Sequence, residues 1–154
     1  MPIRYTALAT ETAARYRAGL RDAYGLVPER HLSDGAGNPC RHCLGLVPEG
    51  AGMLILAHRP FHAAQPYAET GPIFLCADAC PRWEAEGPPP MLAAPDYLLR
   101  GYGADHRIVY GTGAVVPTPA IAARAEALLA EPRVTYLHLR SARNNCYQCR
   151  IDRA

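Results

Sequence analysis

The sequence predicts an α+β fold: a mixed or mostly antiparallel sheet with two helices packed on it and long irregular loops rich in proline and glycine. Two widely separated segments place apolar residues at helical spacing, and several short apolar runs bounded by turn residues are typical of strands. The helices do not alternate regularly with the strands, which argues against a doubly wound α/β fold. A chain of 154 residues is also the usual size of one domain, so we expect residues 1–154 to form a single domain.

The N-terminal part of the chain predicts one strand and one helix. Residues 3–8 alternate enough to form a short strand. Thr10 can cap a helix that is predicted to run to about Tyr24, where Gly25 supplies the stop. From Leu26 to Pro39 the chain has the composition of a loop. The apolar stripe that predicts the helix consists of Tyr16, Leu20, Ala23 and Tyr24.

The middle of the chain predicts two buried strands joined by an ordered loop. Met53–Ala57 and Ile73–Cys76 are short, continuously apolar and bounded by turns, which is typical of strands buried on both faces. The segment from Pro60 to Pro72 contains three prolines and therefore predicts a loop rather than a helix. Residues 81–95 are a second irregular connection.

The C-terminal half predicts four strands and the second helix. Tyr97–Arg100 and Arg107–Tyr110 are moderate strand candidates with glycine turns beside them. Thr118, followed by a proline, begins a helix predicted to run to about Ala130. Val134–Arg140 is a strong strand candidate, and Cys146–Ile151 is a weaker one.

Composition and charge exclude several classes of function. The chain has no apolar run of signal-peptide length at its start and no stretch of ~20 apolar residues, so it predicts a cytoplasmic protein with no membrane partner. The net charge of +2 is too small to argue for nucleic acid. All sixteen basic residues are arginine, which leaves no lysine for Schiff-base chemistry. The composition does not distinguish a small-molecule substrate from a protein partner.

Six cysteines in three close pairs are the main chemical signal. In a reducing cytoplasm they are expected to be thiols or metal ligands rather than a disulfide framework. Cys40-x-x-Cys43 has the spacing of a metal knuckle, and a second pair could complete the tetrahedral thiolate site that zinc accepts. We favour Cys76 and Cys80 as that pair because they belong to the same central block. Cys146 and Cys149 are the alternative, with the better spacing.

Two other interpretations of the cysteines stay open at the sequence level. Arg41 and His42 could lower the pKa of a thiol in the first pair and support redox or catalytic chemistry. That motif, however, lies in a loop before a strand rather than at the strand-to-helix junction of a thioredoxin-like unit. Cysteines are also common as small buried apolar residues, and Cys76 within an apolar strand fits that role.

The loop between the two central strands supplies the catalytic candidates. His62 and Glu69 could act as a base, an orienting group or ligands, and His58 lies just before them. Loops held by a rigid sheet often carry function. The alternative is that Glu69 caps backbone amides while Phe61 and Tyr67 pack the loop.

The central block also carries a family resemblance. Its elements are Pro39-Cys40-Arg41-His42-Cys43-Leu44, Arg59-Pro60-Phe61 and the run from Pro66 to Phe74, with Cys80 and Arg100 beyond. This combination resembles the bacterial family called domain of unknown function 1203, over nearly the whole chain. The resemblance implies a single bacterial domain of about this length, and it implies no reaction, substrate or ligand set.

The leading hypothesis is a small cytosolic protein that binds zinc through Cys40, Cys43 and a second cysteine pair. One contending hypothesis is an enzyme that acts on a small molecule with a site in residues 40–80. The other is a protein-interaction module whose cysteines are only structural.

Overall fold

The computed structural model describes residues 2–154, and within them it contains two helices and eight strands arranged in two antiparallel sheets. The prediction of an α+β fold with a mostly antiparallel arrangement is therefore confirmed. The strands are β1 (Ile3–Thr6), β2 (Glu29–Leu32), β3 (Gly52–His58), β4 (Gly71–Cys76), β5 (Asp96–Tyr102), β6 (Ala114–Pro117), β7 (Tyr136–Ser141) and β8 (Tyr147–Arg153), and the helices are α1 (Thr10–Arg17) and α2 (Ile121–Leu129).

The strands divide between a large sheet and a small sheet. The large sheet has the order β1-β8-β7-β5-β6, and the small sheet has the order β2-β3-β4. In the large sheet the first strand pairs with the last, so that Ile3 lies opposite Arg153. In the small sheet β3 and β4 pair over six positions, from Met53 with Cys76 to His58 with Gly71.

Helix α2 covers the core of the large sheet. A short 3-10 turn, Thr118–Ala120, leads into this helix with a proline near its start, where a missing N–H has no cost. The apolar side chains of α2 recur on one face, so the helix can bury that face against the sheet. The buried residues of that face are Ile121, Ala125, Leu128 and Leu129.

The small sheet has its own core, covered by α1. Ala13 and Tyr16 are the buried residues of α1 and pack on β3 and β4. Most residues of these two strands are apolar, and they form this core together with the helix. Their buried members in this core are Met53, Leu54, Leu56, Ile73 and Leu75.

Helix α1 is shorter than the sequence indicates, because it ends at Arg17 rather than near Tyr24. Gly19 has a φ of +93°, a left-handed conformation that stops the helix. The remaining apolar residues of the predicted stripe do not pack on a helix face, since Leu20 and Tyr24 are 39% and 65% exposed. The chain instead folds around the carboxylate of Asp22, which accepts hydrogen bonds from the backbone N–H groups of Tyr24, Leu26 and Ala57.

Two strand assignments also differ from the sequence prediction. Strand β2 lies in the segment predicted to be a loop, and all four of its residues are exposed, so it carries no apolar pattern. Residues 107–110 do not form a strand, because their pairing is limited to a single bridge between Tyr102 and Ile108. The neighbour of β5 on that side is β6, which the prediction left out.

A short strap, residues 39–46, connects the two sheets. The backbone N–H of Arg41 donates to Phe74 O in β4, while its guanidinium Nε donates to Tyr147 O in β8 at 2.8 Å. Leu44 is fully buried in the core of the large sheet. The strap therefore holds the first cysteine pair between the two sheets.

Neither helix approaches the length needed to cross a bilayer. Helix α2, the longer one, has 9 residues, and no helix among residues 2–154 is both long and apolar enough for a membrane span.

Candidate metal centre

Four cysteine sulfurs from two separate segments converge beside the small sheet. Cys40 and Cys43 belong to the strap, Cys76 is the last residue of β4, and Cys80 follows in the next loop. Their Sγ atoms all lie within 4.8 Å of one another. Cys40 is fully buried, and the other three are partly buried. The cluster consists of the two pairs that the sequence analysis favoured.

The local turn explains how the strap presents two sulfurs together. The N–H of Cys40 donates to Gly45 O, and the N–H of Leu44 donates to Cys40 O, both at 2.9 Å. Leu44 closes the turn with a φ of +52°, an uncommon conformation for a residue other than glycine. Burial of the Leu44 side chain in the large core offsets that cost.

Backbone pairing then brings the second pair to the first. Cys40 forms an isolated parallel bridge with Phe74, two residues before the end of β4. The N–H of Cys76 donates to the Sγ of Cys40 at 3.3 Å. The Sγ atoms of Cys40 and Cys80 are 3.8 Å apart, and a tetrahedron with metal–sulfur bonds of about 2.3 Å has an edge of about 3.8 Å. This spacing can therefore accept a tetrahedral ion.

Two basic side chains surround the sulfur of Cys80. Arg17 donates from Nη2 to this sulfur at 3.1 Å and from Nε to Cys76 O at 3.0 Å. The Nδ1 atom of His42 is 3.2 Å from the same sulfur, and its Nε2 atom is 2.9 Å from Thr10 Oγ1. The Nδ1 atom of His42 is thus within hydrogen-bonding distance of the Cys80 sulfur. The contributions of Arg17 and Thr10 were missed by sequence reasoning, because nothing in the spacing of α1 marks it as a neighbour of the cysteines.

The thiols influence one another's ionisation. Hydrogen bonds from Cys43 and Cys76 lower the pKa of Cys40, whereas hydrogen bonds with Cys40 and Cys43 raise the pKa of Cys76. Burial, together with the charges of Cys40 and Cys43, raises the pKa of Cys80 to about 11. Burial also lowers the pKa of His42, which keeps its ring neutral. Four adjacent thiolates repel one another, so their joint ionisation requires a cation.

The third cysteine pair lies elsewhere. Cys149 is buried in the core of the large sheet. Cys146 is partly buried, and its thiol lies 3.8 Å from Asn144 O. The structure therefore separates this alternative pair from the four clustered cysteines, and burial raises the pKa of Cys149 to about 12.

Comparison with known proteins identifies the family to which the chain belongs. Residues 37–153 match the family described as Protein of unknown function (DUF1203). The chain belongs to this family. The matched range contains the whole strap, all four clustered cysteines and strands β3–β8. Neither the curated proteins nor the solved structures provide a match to this chain.

The DUF1203 chain places its two catalytic candidates in different surroundings. His62 is exposed, and its ring stacks edge-on against His106 with centroids 4.8 Å apart. Glu69 forms ion pairs with Arg100 at 2.5 Å and with Arg140 at 3.4 Å. The cavity beside Glu69 is lined by His58 rather than by His62. A catalytic role for His62 and Glu69 remains a prediction.

Proposed function

We propose that this DUF1203 protein binds a zinc ion through Cys40, Cys43, Cys76 and Cys80, and that the ion stabilises the fold. The observation that carries the proposal is the convergence of four sulfurs, from two segments, to within 4.8 Å. Cysteine thiolates are soft ligands, and a set of four at tetrahedral spacing is typical of structural zinc.

The surroundings of the cluster support a structural rather than a catalytic ion. Four protein ligands fill a tetrahedral site, whereas a catalytic zinc keeps one position for water or substrate. The Cys80 sulfur accepts a hydrogen bond from Arg17 and lies 3.2 Å from His42 Nδ1, and the Cys40 sulfur accepts one from the Cys76 N–H. Contacts of this kind orient metal ligands and offset their charge. A reducing cytoplasm, which we also propose, would keep the ligands available as thiolates.

The position of the cluster suggests what the ion does for the fold. It would join the strap to the edge of the small sheet and to the loop after β4. The strap in turn contacts β8 through Arg41 and the large core through Leu44. A bound ion would therefore fix both sheets through one short segment.

Metal analysis of protein purified without a histidine tag tests the proposal. We expect about one zinc per chain, and we expect Cys43→Ser and Cys80→Ser each to lose it, since a tetrahedral site needs all four ligands. Cys146→Ser is the matched control, because this thiol is partly buried but lies outside the cluster, and it should retain the metal. Wild-type protein that contains only a trace of zinc would contradict the proposal, and so would a Cys80→Ser variant that keeps the ion.

The coordination geometry needs a separate measurement. Replacement of the bound ion by Co²⁺ should give the intense ligand-field bands of a tetrahedral thiolate site, and X-ray absorption should show four sulfur neighbours. A five-coordinate spectrum with an oxygen neighbour would instead support a catalytic ion with a bound water.

A further inference from the structure

A second polar site lies between the central loop and the turn before β8. A cavity of about 200 Å³ is formed there by the ends of β3 and β4 and by residues 144–147. It is smaller than the ~300–1,000 Å³ that is common for larger ligands, so it suits a small molecule. Among the residues that line it are His58, Glu69, Arg140, Asn145 and Tyr147. No residue of the cysteine cluster contributes to this lining.

Arg140 is the buried charge of this cavity. Its side chain is 4% exposed, and its guanidinium has incomplete partners. Nη1 donates to Asn145 O at 3.2 Å, and Nη2 donates to His138 Nδ1 at 3.3 Å. The Nε atom is buried without a hydrogen-bond partner among residues 2–154. Leaving a buried donor unpaired costs free energy, and a charged donor costs more.

The local charge around Arg140 is not balanced. Its carboxylate partner Glu69 is 35% exposed and is shared with Arg100, to which Glu69 is closer. Arg100 and Arg140 together carry two positive charges, and Glu69 supplies one negative charge, so one positive charge is left in excess. Burial lowers the pKa of His58 to about 4, so this ring adds no charge at neutral pH. Burial also raises the pKa of Tyr147, which keeps its phenol protonated as a hydrogen-bond donor.

We propose that this cavity binds a small oxyanion, a carboxylate or a phosphate, whose charged group is held by Arg140 beside His58, Asn145 and Tyr147. A guanidinium offers two parallel N–H groups that match the oxygens of either anion. A bound anion supplies the counter-charge that Arg140 shares only in part with Glu69. The proposal is independent of the zinc site.

The carboxylate of Glu69 sets the affinity of this site. It occupies one side of Arg140 at 3.4 Å and so competes with an incoming anion for the same guanidinium. Removal of its charge should therefore tighten anion binding, although the fold loses an ion pair. If Glu69 instead contacted the ligand directly, removal of its charge should weaken binding.

The test is a titration of the metal-loaded protein with sodium phosphate and, in parallel, with sodium acetate, at constant ionic strength set by chloride. Two-dimensional ¹H–¹⁵N NMR should show saturable shifts at residues 58, 69–71 and 145–147 and at the Nε–H of Arg140. The stronger of the two titrations identifies the phosphate or the carboxylate as the preferred group. The absence of saturable shifts with both anions, or shifts confined to other regions, would overturn the proposal.

Three variants test whether the anion affinity changes in the expected direction. Arg140→Lys keeps the charge but loses the fork, and the affinity should fall roughly tenfold. Glu69→Gln should raise the affinity by roughly fivefold or more, since one competing charge is removed. Arg143→Gln is the matched control, because this arginine lies in the turn just after β7 but is 64% exposed, pairs with Asp96 and does not line the cavity. It should change the affinity by less than about twofold.

The variants also keep the proposal falsifiable if one of them does not fold. Should Arg140→Lys unfold, Glu69→Gln alone decides, since a folded Glu69→Gln protein with unchanged or weaker affinity overturns the proposal. An equal loss of affinity in Arg140→Lys and Arg143→Gln would also overturn it, because that result describes general surface attraction.

Discussion

At the scale of single residues, two histidines outside the cysteine cluster stand out. His138 is 1% exposed and lies among aromatic rings, with that of Tyr102 at 4.5 Å between centroids. Burial and the nearby Arg140 lower its pKa well below the usual value. His58 is partly buried, and burial together with Arg41 lowers its pKa from 6.5 to about 4. Both rings are therefore neutral in the folded protein at neutral pH.

These histidines should make the fold sensitive to mild acid. Below pH 6.5 the unfolded chain binds a proton at each ring that the folded chain does not bind, so the free energy of unfolding decreases as the pH falls. For His58 the loss continues until the folded pKa of about 4 and amounts to roughly 1–2 kcal/mol between pH 7 and pH 5. Urea unfolding monitored by circular dichroism at these two pH values measures it.

The contribution of His58 is isolated by comparison of two variants. His58→Gln removes the titrating ring, so its stability should fall less than that of the wild type between pH 7 and pH 5. His31→Gln is the matched control, since His31 is exposed in the edge strand β2. If both variants keep the wild-type pH slope, the assignment to His58 is incorrect.

Residue types and spacing predicted which four cysteines converge, but not the long-range contacts of the arginines. Two close pairs within one block of sequence were enough to select Cys40, Cys43, Cys76 and Cys80 as candidates. The contact of Arg17 with Cys80 and that of Arg140 with Glu69 depend on chain segments that meet only after folding. Arginine is abundant in this chain, so residue type alone does not single out the few that are buried.

At the scale of elements, strand β5 packs closely against Thr112 at the position of Gly101. The N–H of Gly101 donates to Thr112 Oγ1 at 2.9 Å, and that hydroxyl donates to Val109 O at 2.6 Å. A Cβ atom at Gly101 would lie 3.0 Å from the same Oγ1. Thr112 is 2% exposed, so its side chain has little room to move. The turn that follows β5 is thus fixed against the strand by a glycine.

Gly101→Ala should therefore destabilise the protein by about 1–3 kcal/mol, since a methyl group is forced into a packed site. Gly113→Ala is the matched control, because Gly113 follows Thr112 directly and a Cβ atom there meets nothing within 4 Å. It should change stability by less than roughly 0.5 kcal/mol. Thermal unfolding of both variants measures the difference. Equal melting temperatures for the two variants would contradict this prediction, because they would show that the Thr112 side chain can move aside.

Elements with a strong apolar pattern were predicted well, and those without one were not. The continuous apolar runs gave β3 and β4 to within a few residues, and helical spacing with a Thr-Pro start gave α2. Strand β2 has only exposed residues, so it is defined by backbone pairing to β3, which leaves no mark on the sequence. The second half of the predicted first helix was lost because Gly19 takes a positive φ.

At the scale of the whole molecule, stability should depend on the proposed ion. Binding to four thiolates is worth roughly 10 kcal/mol or more when coupled to folding, which is comparable with a usual domain stability of ~5–15 kcal/mol. Addition of a chelator should therefore unfold the protein or lower its melting temperature sharply, and added zinc should restore it. Calorimetry with and without chelator measures the change.

Two controls accompany the chelation experiment. Cys146→Ser should respond to the chelator as the wild type does, whereas Cys43→Ser should already have the low melting temperature and show no further change. A chelated, metal-free protein that keeps the wild-type melting temperature would contradict the structural role of the ion.

The class of the fold was predictable, but its division into two sheets was not. The sequence indicated antiparallel strands and two helices, which local patterns determine. Which strands become neighbours is decided by long-range pairing, such as that of β1 with β8. The predicted single sheet with two helices is in fact two sheets, each covered by one helix and joined by the strap.

The two sheets draw on different parts of the chain, and this difference affects the order in which they fold. The small sheet and all four cysteines lie within residues 29–80, whereas the large sheet needs residues from both ends. Short loops close at a lower entropic cost, and nearby contacts form faster. On the ribosome the N-terminal residues emerge first, so we expect the proposed ion to bind before β8 is synthesised. Strand β1 would remain unpaired until β8 is synthesised. The large sheet would then form beside a small sheet that is already folded.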